Sequence, residues 1–331
     1  QSAPQRTFLA ERSGAGWREV NYQTVLDIVR SIASNLLGRG LDQETPIIIM
    51  SGSSVDHGLL SLAAQYVGIP TVPVAEQYSL VPAALDRLKQ VIELVKPKLA
   101  FVGDVAVYAN ALSLDVLKDV EIVATEIGQE SRATPFAEFL KPQAAIDLDN
   151  ARAGVTANSI AKILMTSGST STPKGVETTQ RMLCANQAQI ADALPLLRDR
   201  PPRVVDWLPW NHVFGGSHNF NMMLANGGSY YIDQGKPVKG KFEQTLENLS
   251  LVTGTLGFNV PVGFAMLLKA MRDDRQLRHR FFEDLDMLFY AGASLPQDVW
   301  HGNATMAQEV THRPALMTSS WGMTETAPAV L

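Results

Sequence analysis

The stretch Leu164-Met-Thr-Ser-Gly-Ser-Thr-Ser-Thr-Pro-Lys-Gly-Val176 gathers hydroxyls, glycines and one lysine directly behind an apolar run, Ile160 to Met165. That combination can build a phosphate site. Backbone N–H groups freed by tight turning, Ser and Thr hydroxyls and the Lys174 ammonium can converge on phosphate oxygens, with no bulky side chain to hold the ligand off. It is not a Walker loop, which needs four residues between its first glycine and a Gly-Lys pair, then Ser or Thr. Here Gly175 follows Lys174. A flexible Ser/Thr/Gly connector would share the composition, but it would not need an apolar strand in front of it.

Three other stretches carry unusual residues where strands should end. They are Trp207-Leu-Pro-Trp-Asn-His-Val-Phe-Gly-Gly216, Tyr290-Ala-Gly-Ala-Ser-Leu-Pro296 and Ser319-Ser-Trp-Gly-Met-Thr-Glu-Thr326. The elements that must position them follow a rhythm. Residues 7 to 22 alternate apolar and polar around Ser13-Gly14-Ala15-Gly16, a short hairpin. Val25, Ile28, Val29, Ile32, Leu36 and Leu37 keep helical spacing up to Gly38 and Gly40. Strands are then expected at Ile47 to Met50, Thr71 to Val74, Leu99 to Val102 and Val120 to Ala124, with helices at Val55 to Val67 and Pro82 to Val95. His57 on the first of these helices reads as a surface or helix-packing histidine.

The pattern weakens from Gly128 to Ser159, around Pro135 and Pro142, and a lobe boundary or long connection is placed there. Strands resume at Ile160, Val204 to Leu208, Ser229 to Ile232, Leu251 to Leu256, Met287 to Tyr290 and Ala315 to Ser319. Helices are expected at Thr179 to Leu194 and near 212–226, 239–249, 261–271 and 296–312. This alternation predicts an α/β fold, with largely parallel sheet flanked by helices in two packed subdomains, residues 1–150 and 151–331. Ligands of such sheets collect beyond the carboxyl ends of the strands.

At 331 residues the chain is long for one core, which agrees with two subdomains. Its net charge of −5 gives no general pull towards nucleic acid or anionic membrane, so an anion must be bound by a local site. One cysteine, Cys184, excludes an internal disulfide and fits a reducing, cytoplasmic setting; it reads as a packing residue of its helix. No window reaches the apolar length of a membrane span, and no signal peptide is evident. The chain opens on Gln1 and stops at Leu331 with no polar ending, so it is expected to be a piece of a longer protein.

Taken in order, the four stretches resemble the adenylate-forming superfamily of acyl-CoA synthetases, luciferases and peptide-synthetase adenylation domains, in wording nearest to bacterial feruloyl-CoA synthetases. Arg6-Thr-Phe-Leu-Ala-Glu-Arg12 and Tyr66-Val-Gly-Ile-Pro-Thr-Val-Pro73 extend the resemblance over most of the chain. The resemblance implies the large amino-terminal part of such an enzyme, without its barrel subdomain and carboxyl-terminal lid. It implies that Thr166, Ser167, Gly168, Ser169, Thr170 and Lys174 fold over the β- and γ-phosphates of ATP. Ser171 departs from the family's usual glycine, which matters if that position needs a positive φ. Trp321 would stack on adenine, Gly322 would leave room for the nucleotide, Thr324 would donate to the α-phosphate and Glu325 would hold Mg²⁺. Gly292, Ala293 and Ser294 would line the nucleotide and acyl sites through their backbone, and His212 would orient the carboxylate rather than act as a base.

The chemistry so implied has two halves. A carboxylate oxygen attacks the α-phosphorus of Mg-ATP, giving acyl-AMP and pyrophosphate, and the thiolate of coenzyme A then displaces AMP. Positioning and charge neutralisation dominate the first half. The family's ribose-binding Asp, a further Arg and its catalytic Lys would lie downstream of Leu331, so strongly impaired adenylation is expected of these 331 residues alone. Residues suited to the acyl group are His212, Val213, Phe214, Gly215, His218, Phe258, Tyr290, Gly292, Ala293 and Met323. A planar hydroxycinnamate such as ferulate would pack on their aromatic faces, whereas a medium-chain fatty acid would need only apolar walls. An amino acid would need a buried carboxylate, and the stretch after Trp210 offers Asn211 and Asn219 but no Asp. A nucleotide-binding module without ligase activity remains the alternative outside acyl activation, and a kinase would need an acceptor-activating Asp near the phosphate loop. Oligomeric state is left open.

Overall fold

The computed structural model describes residues 3–128, 131–166, 173–327 and 329–330. Strands β1 (Thr7–Ser13) and β2 (Gly16–Asn21) form the expected hairpin, followed by β3 (Ile47–Ile49), β4 (Thr71–Pro73), β5 (Leu99–Asp104) and β6 (Glu121–Glu126). Next come β7 (Thr134–Pro135), β8 (Ile160–Thr166), β9 (Lys174–Thr179), β10 (Arg203–Asp206) and β11 (Ser229–Ile232). The chain continues through β12 (Leu256–Asn259), β13 (Met287–Tyr290) and β14 (Leu316–Ser319) to the short strands β15 (Trp321–Gly322) and β16 (Ala329–Val330). Helices separate most of them, giving a mixed α/β fold of parallel sheets flanked by helices.

The chain divides into two compact units that do not follow sequence order. The first comprises Gln1–Tyr22, Asn186–Leu208 and His218–Leu331, and the second Gln23–Ala185 and Pro209–Ser217. In the second unit a seven-stranded sheet runs in the order β7-β6-β5-β3-β4-β8-β9. Its strands are parallel except for the last pair, in which β9 runs antiparallel to β8. Ile47, Ile48 and Ile49 are wholly buried on both faces, as central parallel strands require. Ile48, Val72, Ala100 and Ile122 pack with Leu88, Val91 and Ile92 of the helix Leu85–Val95. Phe101 meets Phe136 edge-on at 5.5 Å. Each of the Ile, Val, Leu and Phe side chains among them, fully buried, stabilises the fold by roughly 1.5–3 kcal/mol.

In the first unit β10 and β11 are parallel, β11 pairs with β1, and β1 with β2. β12, β13 and β14 form a parallel sheet, with Thr255 N donating to Arg203 O at 2.8 Å where β12 begins beside β10. Leu288 of β13 is covered by Leu267, Leu268 and Met271 of the helix Pro261–Asp273 and by Phe281 and Phe282 of the helix Arg275–Phe282.

Several elements differ from the sequence expectation. Lys174 opens strand β9 instead of ending a loop that leads into a helix, so the Ser/Thr/Gly stretch joins two antiparallel strands; the helix starts only at Gln180. β8 follows the weak region after residue 128, yet it completes the sheet begun by β3 to β6, because β4 offers it a parallel neighbour. The apolar run from Leu251 is the end of the helix Phe242–Leu251, and the strand begins at Leu256, after the Thr253-Gly254-Thr255 turn. The helix expected near 212–226 opens as a π-helical turn, Phe214–Asn219, before regular helix Phe220–Ala225. Cys184 is exposed on its helix and is not a packing residue.

Candidate functional site

In the second unit β8 ends at Thr166 and β9 starts at Lys174, and these two residues are register partners. Thr166 Oγ1 approaches the Lys174 carbonyl at 3.5 Å. Ser167, Gly168, Ser169, Thr170 and Ser171 lie outside the described residues. The hairpin nevertheless brings Thr166 and Lys174, the two described ends of the phosphate stretch, together.

The same unit contains Pro209–Ser217, which carries His212, Val213, Phe214 and Gly215. His212 is exposed, whereas Val213, Phe214 and Gly215 are buried. The His212 Nδ1 accepts the Phe214 N–H at 3.2 Å, so the neutral ring carries its proton on Nε2 and presents a donor outwards. Gly216 N donates to the His212 carbonyl at 2.9 Å. A Cβ on Gly216 would overlap the Trp210 carbonyl oxygen, so only glycine fits this turn.

Behind this segment lie two titratable groups that the sequence reading undervalued. Lys162 of β8, 6% exposed, donates from Nζ to the Gly216 carbonyl at 2.7 Å. Burial pulls its ammonium down to about 8. His57, whose backbone N–H is capped by Ser54 Oγ at 3.1 Å, is buried at the start of the helix Val55–Tyr66. Its Nδ1 donates to the Gly52 carbonyl at 3.0 Å, and its ring meets Trp210 edge-on at 5.0 Å. Burial, with a smaller push from Lys162, lowers it to about 4, so it is neutral at pH 7. The packing reading of His57 holds and the surface one does not. A lysine inside the apolar run Ile160 to Met165 was the available signal for Lys162.

In the first unit the carboxyl ends of β12, β13 and β14 bring together most of the other candidates. Phe258 lies in β12 and is paired with Phe289; Tyr290 ends β13 opposite Asn259. Gly292, at φ +91°, makes the turn that exposes Ala293 and Ser294, a conformation that favours glycine. Trp321 is 66% exposed, an unusual position for a tryptophan without a ligand or partner. Met323 is exposed too, and its N–H is held by Thr326 Oγ1 at 3.0 Å in the 3₁₀ turn Thr324–Thr326. Glu325 on that turn is exposed, and Thr324 is half-buried. An exposed indole with a hydroxyl and a carboxylate three and four residues on fits a nucleobase and a phosphate-bound hard cation. No cluster of three metal-ligating side chains occurs among the described residues, and a cation held mainly by phosphate would not need one.

His218 is instead buried in a polar network beneath these strand ends. The Asp206 Oδ2 accepts from Asn219 Nδ2 and from the Tyr230 hydroxyl, both at 2.7 Å, and Oδ1 accepts from Leu208 N at 3.0 Å. Asn219 Oδ1 then accepts from His218 Nδ1 at 2.7 Å, which fixes the tautomer. The His218 ring lies 5.0 Å from Phe289 and 5.5 Å from Phe258. Burial raises Asp206 to about 6 against its three donors, and lowers His218 to about 4. Sequence reasoning missed Asp206, the carboxylate it sought near Asn211 and Asn219; the signal was an acid ending the apolar strand Val204-Val205. With three donors already bound, this carboxylate is not arranged to meet a ligand ammonium.

The family model for AMP-binding enzymes matches residues 1–331. The chain belongs to the AMP-binding enzyme family. Among curated proteins none matches it in sequence. Among solved structures, ATP-bound MatB from Rhodopseudomonas palustris is similar at 22% identity with a TM-score of 0.69, covering 98% of this chain and 58% of that one. A structure from work on fatty acyl-adenylate ligases from E. coli and L. pneumophila is similar at 21% identity and a TM-score of 0.78, covering 98% and 56%. A long-chain-fatty-acid-CoA ligase from Archaeoglobus fulgidus is similar at 19% identity and a TM-score of 0.76, covering 99% and 63%. These solved structures share this chain's fold, and the chain spans less than two thirds of the length of each of them. No helix among the described residues is long and apolar enough to cross a membrane.

Proposed function

We propose that this AMP-binding chain is the nucleotide- and acid-binding part of an ATP-dependent carboxylic acid:CoA ligase. The observation that carries the reading is the family match over all 331 residues. Thr166, Lys174 and the loop joining them take the triphosphate, Trp321 and Gly322 the adenine, and Thr324 the α-phosphate. Glu325 takes Mg²⁺, supported by its exposure beside an exposed indole. The ion supplies neutralisation of phosphate charge; the chain's own groups orient the reactants. His212, with its proton on Nε2, orients the acid as a donor. Gly292, Ala293 and Ser294 contribute backbone, and Val213, Phe214, Gly215, His218, Phe258, Tyr290 and Met323 shape the acyl site.

The acid is ferulate or a related hydroxycinnamate, with coenzyme A as the acceptor. Tyr290, half-buried at the end of β13, offers an aromatic face that supports a planar acid. Fatty-acyl ligases among the similar structures support a medium-chain fatty acid as the second reading. ATP–pyrophosphate exchange in the full-length protein, with ferulate, a medium-chain fatty acid and amino acids compared, decides between them. Ferulate-dependent exchange is expected; preference for the fatty acid keeps the mechanism and moves the substrate. ATP binding with no exchange for any acid would overturn the ligase in favour of a nucleotide-binding module.

A further inference from the structure

A buried ammonium is expensive to desolvate and needs a reason to be there. Lys162 makes a short, charge-assisted bond to a single backbone carbonyl, that of Gly216. The two residues around that bond matter in different ways. Lys162 lies four positions before Thr166 on the strand that delivers the phosphate stretch, and Gly216 lies four positions after His212. Gly216 N is bonded back to the His212 carbonyl, and Phe214 N to the His212 imidazole. From the ammonium to the imidazole the path is therefore one turn of hydrogen-bonded chain, all within the second unit.

We propose that Lys162 is a positioning residue: its ammonium clamps the Gly216 carbonyl and so fixes the Pro209–Ser217 segment, with the His212 ring on it, against strand β8. The proposal rests on the ligase reading only for what the clamped imidazole is used for. A neutral side chain of the same length could fill the space but could not make the charged bond. Register neighbours on β4 and β9 are the uncharged Thr71 and Thr178. From the helix Val55–Tyr66 the titratable group that feels the ammonium is His57, which itself braces Trp210. On the clamped segment the titratable group is the exposed His212. Burial, with no opposing carboxylate contribution, places the loss of the Lys162 proton near pH 8.

The test uses the full-length protein without nucleotide or acid, and reads amide hydrogen exchange at Gly216 and Phe214. After correction for the intrinsic base-catalysed rate, protection at Gly216 is expected to fall about fivefold between about pH 7 and pH 9 in the unaltered protein. Lys162→Met should show the lower protection at every pH, with no step. In ferulate-dependent pyrophosphate exchange the same variant should raise the KM for ferulate about tenfold while leaving the KM for ATP unchanged, a split that simple loss of folded protein, which lowers kcat alone, would not give. Flat protection through the pH at which the Lys162 ammonium is observed to lose its proton in the unaltered protein would overturn the clamp, and this holds even where Lys162→Met does not fold. Unchanged protection in a folded Lys162→Met would overturn it as well. Failure of the ligase reading shows separately, as absent exchange of pyrophosphate in the unaltered protein, and leaves the hydrogen-exchange result readable.

Discussion

In the first unit a buried carboxylate, Asp206, collects three donors, and through Asn219 it orients His218. In the second a buried ammonium, Lys162, meets one carbonyl, and the nearby His57 is held by another. The difference shows in their response to acid. His218 is lowered from 6.5 to about 4, so its contribution is complete above pH 6.5 and is lost as pH falls through 4. Asp206 is raised from 3.8 to about 6, so its contribution is complete below pH 3.8 and is lost as pH rises through 6. The two displacements are of similar size and opposite sign, and they offset. His57, lowered from 6.5 to about 4, has no such counterweight, and its protonation would put a second charge near Lys162. A network of mixed acid and base is buffered against pH; a cluster of bases is not.

The largest expected effect strikes the buffered network. Asp206→Ala removes the acceptor shared by Asn219 Nδ2, the Tyr230 hydroxyl and Leu208 N in a dry interior, and should cost about 3–5 kcal/mol in chemical denaturation. Asp206→Asn should cost less and should unmask the acid sensitivity of His218. Next is the acid response itself. Between pH 6.5 and 4 the second unit should lose hydrogen-exchange protection before the first, by about 3 kcal/mol for His57. His57→Gln should flatten that loss, and equal acid sensitivity in the two units would break the comparison. Gly216→Ala, which pushes a methyl into the Trp210 carbonyl, should cost roughly 1–3 kcal/mol, with increased exchange confined to residues 209–217. Smallest in stability is Trp321→Ala. With the indole 66% exposed, the denaturation midpoint should hardly move, while ATP affinity falls about tenfold in a titration.

Much of the fold could be read from the chain because its strands are short, apolar and separated by periodic helices; β3, β5, β11 and β13 lie where the pattern places them. What escaped depended on partners far away in sequence. β9 is polar and follows a stretch rich in hydroxyls, so only its pairing with β8 makes it a strand. The run from Leu251 suits a helix end as well as a strand, and the hydrogen bond that Arg203 N donates to Thr255 Oγ1 at 2.8 Å settles the start of β12. The candidate loops drew notice because they gather glycine, histidine and tryptophan at strand ends. The groups that hold those loops were not: Lys162 looks like one polar residue in an apolar strand, and Asp206 like a strand terminus. Their roles exist only once Gly216 and Asn219 have been brought to them.

The Pro209–Ser217 excursion also orders events in time. A chain made from its amino end produces Lys162 well before its acceptor, which lies 54 residues later. Until that carbonyl arrives, β8 can dock on β4 only by leaving its ammonium wet or neutral, so the seven-stranded sheet can assemble early but cannot dry its last parallel strand. The final consolidation of the second unit thus waits for residues whose flanks belong to the first, and β1, made before β3 to β9, waits longer still for β11. Ribosome-bound chains ending before about residue 210 should therefore show β3 to β6 protected while β8 still exchanges.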